Sequence, residues 1–484
     1  MVFSSFTFLI FFLPFTLIVL YSIPHKYRNT FLLIMSLIFY MWSSPQYLLV
    51  MIGVIIINYF VGIYIDKYDK TGGGRSAILK KKTLIIGIAV NVLVLFIFKY
   101  LSFTINSISE ALQVFGFNGW IFKNIVLPVG ISFYIFQSIS YLVDIYRKEA
   151  PVQKSIKNLA LYISMFPQLV AGPIVRYNSI AQDIEKQRNI SFEVFILGLK
   201  IFITGLAKKV LIANQMAVIA DTMFSQDASY LTAVNAWIGA LAYTCQIYFD
   251  FSGYSDMAIG LGLMIGFRFP INFNYPYISY SITDFWRRWH ISLSSWFKDY
   301  LYIPLGGNRV KVSRMYLNLL IVFIITGIWH GANWTFLVWG LFHGFFLIFE
   351  KITGLNKQEK YKPIRWLLTM LIVITAWVFF RADTIYDALQ YIKAMFGLNS
   401  NAQELISSQL YLSNPLFYII MAAGIVGSTP LVKKYFMQNI DISKPLNVSK
   451  RVLYIQNAVM VVLLAAVYIM LANNTYNPFI YFRF

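Results

Sequence analysis

The sequence predicts an all-α membrane protein that crosses the bilayer many times. Of its 484 residues 58% are hydrophobic and 18% aromatic, only 12% are charged, and the mean hydropathy is +0.64. Soluble domains carry about 25% charged residues, which excludes that class. Apolar runs of about 20 residues, long enough to cross a bilayer, alternate with short polar links. We therefore expect roughly 10 to 12 transmembrane helices, with additional re-entrant and interfacial helices.

The basic residues predict the orientation of the chain. The formal net charge is +20, from 40 Lys and Arg against 20 Asp and Glu. These cations cluster in short loops between apolar runs, for example DKYDKTGGGRSAILKKK, as is typical of loops that face the cytoplasm and its anionic lipids. This distribution favours a lipid bilayer over nucleic acid as the partner. Alternation of the spans places both termini on the extracytoplasmic side of the inner (plasma) membrane.

Cysteine usage and motif spacing exclude several classes of site. The chain has one cysteine, Cys245, which excludes an internal disulfide and a cysteine metal cluster. The sequence shows neither a glycine-rich phosphate loop nor paired metal-ligand histidines. We therefore expect no bound metal or cofactor.

A polar aromatic run, ITDFWRRWHISLSSWFKDYLYIPLGGN, begins at Ile282. Read as one helix, it places Trp286, Trp289 and Trp296 on one face and the cations on the others. Such a helix is expected to lie in the membrane interface. Its Arg287 and Arg288 are candidates to hold a phosphate-bearing donor on the cytoplasmic side. The same run contains His290, and Asp284 is spaced to pair with Arg288.

A second run, LLIVFIITGIWHGANWTFLVWGLFHG, is long enough to form one span with His330 near its middle. An ionisable residue at membrane depth suggests a functional site, and a buried neutral imidazole can act as a general base for a hydroxyl. Asn333 is expected one turn further on the same side, as a partner. The alternative is that His330 only hydrogen-bonds a neighbouring helix. His343 is predicted to pack between helices.

Polar residues interrupt three other apolar stretches. The stretch LALYISMFPQLVAGPIVRY contains Gln168 among helix breakers and predicts a re-entrant element that lines a cavity. In YFDFSGYSDMAIG, Asp250 and Ser252 either cap a helix N-terminus or line a reaction chamber. Lys208 and Lys209 lie inside a predicted span at 193–220, which suggests a tilted or partly interfacial helix.

Several of these runs together resemble a known family. WRRWHISLSSWFKDYLYIPLGG and GIWHGANWTFLVWG are similar to the signature of the membrane-bound O-acyltransferase superfamily. FPQLVAGPIVRY, YFDFSGYSDMAIG, FNYPY and FFRA resemble its bacterial branch, the alginate O-acetyltransferase membrane subunit and its relatives. The motifs extend from about Phe133 to Arg381.

The resemblance implies a fold, an activity and roles for individual residues. It implies a ring of helices around a central tunnel, with acetyl-CoA entering from the cytoplasm. His330 matches the family's catalytic histidine and His290 its second important histidine; their neighbours Trp329 and Asn333 are candidates for substrate binding. The acetyl group would pass to a separate extracytoplasmic acetyltransferase of the SGNH/GDSL type, which completes O-acetylation of an exopolysaccharide.

The C-terminal residues NPFIYFRF carry a further resemblance. They are similar to the end of a small membrane partner in teichoic acid D-alanylation, in which a tyrosine is a proposed acyl carrier. Tyr481 would then accept the acetyl group after activation by His330. The alternative is an aromatic anchor at the membrane interface.

The chain is interpreted as one integral membrane domain, 1–484. It comprises N-terminal helices (1–124), a motif-bearing core (125–381), and C-terminal helices with an extracytoplasmic tail (382–484). Two alternatives to acetyl transfer remain: D-alanyl transfer onto teichoic acid, and transport of an acyl or lipid-linked substrate. A transporter would be expected to show paired inverted repeats, which the sequence does not show.

Overall fold

Helices form the regular structure of the protein. The structure, a computed structural model, describes residues 1–358, 360–402, 406–431, 450–473, 476–478 and 480. All regular elements in these residues are helices, which confirms the predicted class. Within the described chain six helical stretches are long and apolar enough to cross a membrane: Pro45–Thr71, Gly74–Val114, Val312–His330, Trp334–Thr353, Lys362–Arg381 and Leu453–Asn473. The larger expected number of spans stays a prediction.

The chain divides into two compact units, of which the first contains Met1–Gly198 and Leu261–Pro270. Its helices are α1 (Leu13–Ser22), α2 (His25–Ser43), α3 (Leu48–Thr71), α4 (Gly74–Leu95), α5 (Leu101–Val114), α6 (Ile131–Arg147), α7 (Ile156–Ser164), α8 (Phe166–Leu169) and α9 (Tyr177–Glu185). Helix α3 packs against α4 and α6. Buried Asn58 and Asn91 exchange hydrogen bonds of 3.1 and 2.9 Å between α3 and α4, which satisfies both amides in apolar surroundings.

The second unit contains Leu199–Gly260 and Ile271–Phe484. Its helices are α11 (Asn214–Phe224), α13 (Ile282–Arg288), α14 (Ile291–Phe297), α15 (Val312–His330), α16 (Trp334–Thr353), α17 (Lys362–Arg381), α18 (Ile385–Met395), α19 (Ile406–Ser413), α20 (Pro415–Gly427) and α21 (Lys450–Asn473). Two helices, α10 (Phe192–Ala207) and α12 (Ala233–Ile265), contribute residues to both units.

Helices α15 and α16 cross at close range because glycines leave room for their backbones. A Cβ atom at Gly327 would lie 2.3 Å from the carbonyl oxygen of Phe336 and 3.3 Å from the Cα of Gly340. No real side chain fits there without moving a helix. Helix α16 then packs against α17 and α13, so the two motif-bearing runs of the sequence come together within one unit.

Two expected helices are broken, and both predictions were wrong in this respect. The run around His330 forms two helices, because α15 ends at His330 and α16 begins at Trp334. Asn333 therefore caps a new helix and does not lie one turn further on the same helix. The aromatic run is broken after Trp289, which is 3% exposed. Its tryptophans are buried in the protein, so it is not one interfacial amphipathic helix.

The polar cluster at Asp250 lies in the interior of α12. The interpretation of this cluster as a helix N-cap is therefore wrong. Lys208 and Lys209 begin a π-helical stretch, Lys208–Ala213, between α10 and α11. Each lysine forms an ion pair with an aspartate of α12, Lys208 with Asp256 and Lys209 with Asp250. These pairs account for the charges within an apolar stretch.

Candidate active site

His330 borders a small aromatic pocket in the second unit. The pocket has a volume of about 10 Å³ and is lined by Ile247, Phe251, Trp289, His330, Trp339, Trp377, Phe380 and Ile480. The imidazole packs edge-on against the rings of Trp339 at 5.0 Å and Phe380 at 5.1 Å between centroids. Among these lining residues the imidazole is the one side chain that can act as a general base. The pocket thus places a base among surfaces that exclude water.

The break after His330 places the imidazole at a helix end. Gly331 is extended (φ −166°, ψ 153°), and a Cβ atom there would lie 2.2 Å from the ring of Phe336. Asn333 then caps α16 by accepting a hydrogen bond from the amide of Thr335 at 3.1 Å. Its Nδ2 donates to the carbonyl of Asp383 at 2.8 Å. The Asn333 side chain therefore fixes the start of α16.

His290 occupies the other break, between α13 and α14. Its backbone is left-handed (φ 44°, ψ 54°), a conformation that costs a non-glycine residue about 1 to 2 kcal/mol. The ring is fully buried and packs edge-on against Phe251, with 4.6 Å between centroids. Burial lowers the pKa of His290 to about 3, so the ring is neutral at physiological pH. Among the described residues its Nε2 has no hydrogen-bond partner.

Asn272 holds this break closed. Its Oδ1 lies 3.1 Å from His290 Nδ1 and accepts from the amide and hydroxyl of Ser292 at 3.1 and 2.8 Å. Its backbone carbonyl accepts from the amide of Ile291 at 2.9 Å. Because Oδ1 is an acceptor, Nδ1 of His290 carries the proton and Nε2 the lone pair.

Trp329 links the two histidines. Its ring centroid lies 5.0 Å from that of His330 and 6.2 Å from that of His290. His330 lines the pocket, whereas His290 packs against the ring of one lining residue, Phe251, and follows another, Trp289, in the chain. The structure therefore places His330 at the pocket and His290 in its support.

Glu350 of α16 positions the N-terminal end of α13. Its carboxylate accepts from the amides of Ile282 and Thr283 at 2.5 and 2.9 Å, and from the Thr283 hydroxyl at 2.8 Å. A carboxylate at a helix N-terminus satisfies free amides and interacts favourably with the helix dipole. Seven residues before Glu350 on the same helix, His343 accepts from Trp286 Nε1 at 3.3 Å, which confirms its predicted packing role.

The C-terminal segment, residues 476–478 and 480, lies against a buried ion pair. Lys209 Nζ lies 2.7 Å from Asp250 Oδ1, and the two side chains are 2% and 1% exposed. Lys209 also donates to the carbonyl of Pro478. The amide of Ile480 donates to Asp250 Oδ2 at 2.8 Å. Because Ile480 lines the His330 pocket, the ion pair fixes the backbone of a pocket-lining residue.

Two further contacts hold the same segment. Asn214 Nδ2 donates to Asn477 Oδ1 at 3.2 Å. Asp221 accepts from Arg381 Nη2 at 2.6 Å and from the hydroxyl of Tyr476. Arg381 belongs to the FFRA stretch, so one of the motif residues anchors the C-terminal segment.

The remaining predicted site residues lie in different settings. Arg287 is exposed, whereas Arg288 forms the predicted ion pair with Asp284 at 3.0 Å. Ser252 is buried, and within the described chain its hydroxyl has no partner. Gln168 is buried in the first unit and donates to the carbonyl of Tyr162 at 2.6 Å. Tyr481 lies outside the described residues.

Sequence reasoning missed the residues that support the site. Lys209 is recognisable in the sequence as a charge inside a predicted span that needs a partner, but the sequence does not show that this partner is Asp250. Asn272 and Glu350 gave no signal, because an asparagine in a loop and a glutamate near a helix end are common. Their importance comes from which backbone amides they meet in the fold.

Known proteins share this sequence pattern. The membrane-bound O-acyltransferase family pattern matches residues 146–383. The protein named "Probable alginate O-acetylase AlgI" of Pseudomonas putida is 40% identical over 497 aligned positions, which cover 100% of each chain. The match includes the segments that contain both histidines.

Two relatives with other names are also similar. A peptidoglycan O-acetyltransferase of Helicobacter pylori is 38% identical, covering 80% of this chain and 77% of the relative. A teichoic acid D-alanyltransferase of Bacillus subtilis is 32% identical, covering 52% of this chain and 66% of the relative. All three names describe transfer of an acyl group, which is acetyl in two of them and D-alanyl in the third.

Proposed function

Because the chain belongs to the membrane-bound O-acyltransferase family, and is therefore a membrane O-acyltransferase, we propose that it moves acetyl groups for O-acetylation of an extracellular polysaccharide. Acetyl-CoA on the cytoplasmic side is the donor. The observation that carries the proposal is the position of His330 in an aromatic pocket that a residue of the C-terminal segment also lines. The names of the relatives aligned over most of their length support acetyl as the acyl group.

His330 acts as the general base in this proposal. The neutral imidazole takes the proton from an acceptor hydroxyl as its oxygen attacks the thioester carbonyl of acetyl-CoA. The tetrahedral intermediate collapses, the carbon–sulfur bond breaks, and the CoA thiolate takes the proton from the imidazolium. The products are the acetyl ester and CoA. The aromatic walls keep water away from the thioester, which limits its hydrolysis.

Tyr481 is the first acceptor in the proposal. It directly follows Ile480, whose side chain lines the pocket with His330. An acetyl-tyrosine on the extracytoplasmic side would then donate to a separate SGNH/GDSL-type acetyltransferase, and that partner would acetylate the polysaccharide. If Tyr481 only anchors the chain at the interface, the acceptor is instead a hydroxyl supplied by the partner or the polymer.

Donor binding uses the arginines of α13. Arg287 is exposed and Arg288 partly exposed, so both can reach phosphate groups of CoA from the cytoplasm. His290 and Trp329 keep the pocket wall in place. Gln168, Ser252 and Asn333 are the other proposed substrate-binding residues.

D-alanyl transfer is the second candidate, favoured by the B. subtilis relative. That similarity covers about half of this chain, whereas the P. putida protein aligns with all of it. Family membership favours enzymatic transfer over transport. The clusters of Lys and Arg in the loops support extracytoplasmic termini in the plasma membrane.

The test uses purified protein in lipid vesicles with acetyl-CoA and follows the release of CoA. We expect His330→Ala to slow acetyl transfer about 100- to 10,000-fold. The matched control is His25→Ala, at an exposed position in the first unit, which should retain full activity. Unchanged transfer by a folded His330→Ala protein would reject the assigned base. Transfer of D-alanine but not acetyl would favour the second candidate.

A further inference from the structure

The buried pair of Lys209 and Asp250 forms complementary hydrogen bonds with the backbone of the C-terminal segment. Lys209 donates to a backbone carbonyl, that of Pro478, and Asp250 accepts from a backbone amide two residues later, that of Ile480. A carbonyl accepts and an amide donates, so each charge meets the peptide group that complements it. Because both contacts are made by backbone groups of the segment, they determine which of its residues lie beside Lys209 and Asp250.

The energetics link the pair to the segment. Removing two charges from water costs several kcal/mol per ion, and the attraction between them offsets that cost only when their remaining hydrogen-bonding capacity is used. The carbonyl of Pro478 and the amide of Ile480 supply that capacity. These hydrogen bonds therefore hold the segment against the pair. Displacing the segment would remove hydrogen bonds from two buried charges, which is unfavourable.

We propose that Lys209 and Asp250 are positioning residues that set the register of the C-terminal segment, so that Ile480 lines the pocket beside His330. Neither Lys209 nor Asp250 is among the residues that line the His330 pocket. The role of the pair is to fix which residue of the segment reaches the pocket. The effect on acetyl transfer rests on the proposed function, whereas the docking of the segment does not.

The neighbouring pair provides a matched control. Lys208 and Asp256 come from the same two helical stretches, and their charged atoms lie 2.6 Å apart. Their side chains are 25% and 29% exposed. In the described chain the hydrogen bonds of Lys208 and Asp256 stay within the pair and do not reach the C-terminal segment.

Reversal of the buried pair separates positioning from simple structural support. Lys209→Asp with Asp250→Lys retains opposite charges but places an acceptor against a carbonyl and a donor against an amide. If the pair only stabilises the helices, the reversed variant should retain acetyl transfer. If the pair positions the segment, the reversed variant should lose it. The variant Lys209→Met with Asp250→Leu removes both charges, a change that is often neutral or stabilising for a fold, and provides a second folded test.

The first readout is digestion by a carboxypeptidase in detergent, followed by intact mass. In the native protein trimming should stop before Ile480 is removed. In the reversed and apolar variants it should continue past Ile480, and the same substitutions at Lys208 and Asp256 should leave it unchanged. Native-like protection in both buried-pair variants overturns the proposal.

The second readout is acetyl transfer with varied acetyl-CoA. We expect kcat to fall about tenfold or more in both buried-pair variants, with an unchanged KM for acetyl-CoA, because misplacement affects the reacting geometry and not donor binding. A released segment with native kcat overturns the positioning role. Failure of the proposed function is distinct, since it would appear as a folded His330→Ala protein that retains transfer.

Discussion

The two helix breaks, one at His330 and one at His290, are stabilised by different interactions. At His330 the break depends on packing, because α15 and α16 approach through Gly327 and Gly340 and Gly331 faces the ring of Phe336. At His290 it depends on hydrogen bonds from Asn272. The break at His330 borders a pocket, whereas the break at His290 is filled by buried side chains. Packing shapes the reactive surface, and polar contacts fix the wall behind it.

Substitution at the packed break should have the largest effect on stability. In Gly327→Ala the new methyl group would lie 2.3 Å from the Phe336 carbonyl oxygen and would force the helices apart. We expect a loss of about 3 kcal/mol, with inactive enzyme. The control Gly53→Ala has nothing within 4 Å of its new methyl group and should gain up to about 1 kcal/mol. Equal melting temperatures of the two variants would show that close packing does not hold this break.

Substitution at the hydrogen-bonded break should have a smaller effect. Asn272→Ala leaves His290 Nδ1 and the Ser292 amide without their acceptor, at a cost of about 2 kcal/mol in unfolding free energy. We expect a several-fold lower kcat with little change in KM. Asn274→Ala is the control, because that side chain is exposed. A similar stability change in both variants would mean that Asn272 does not hold the break.

The smallest expected effect is a pH dependence of stability. The pKa of buried His290 is lowered to about 3, so the unfolded chain binds a proton below pH 6.5 that the folded chain does not. The neutral His290 ring therefore contributes its full stability above the pKa of histidine in the unfolded chain, and that stability is lost as the pH falls toward the pKa of His290 in the folded protein. Between these pH values His290→Gln should lose stability less steeply than the native protein, by up to about 1.4 kcal/mol per pH unit. Identical slopes in thermal unfolding would contradict a buried neutral ring.

The sequence predicted much of the fold because hydropathy and length determine where apolar helices form. It also made His330 a candidate site residue, because a histidine between glycines in an apolar run is unusual, and the structure places that residue at a pocket. It did not predict where those runs break. The left-handed backbone of His290 becomes stable only when Asn272 is brought to it, and that contact depends on the tertiary fold.

The support of the site was likewise beyond sequence reasoning. Asp250 was identified as a polar residue between apolar runs, yet its partner Lys209 lies on another helical stretch. The backbone groups that complete the pair come from the C-terminal segment. Residue patterns reveal that a buried charge needs a partner, and only the fold shows which partner it has.

The most direct test of the central claim is the mass of the C-terminal peptide after purified protein reacts with acetyl-CoA. The account predicts one acetyl group on Tyr481 in the native protein and none in His330→Ala, because the hydroxyl needs the imidazole as its base. His25→Ala should behave as the native protein. An equally acetylated peptide in a folded His330→Ala protein would contradict the account.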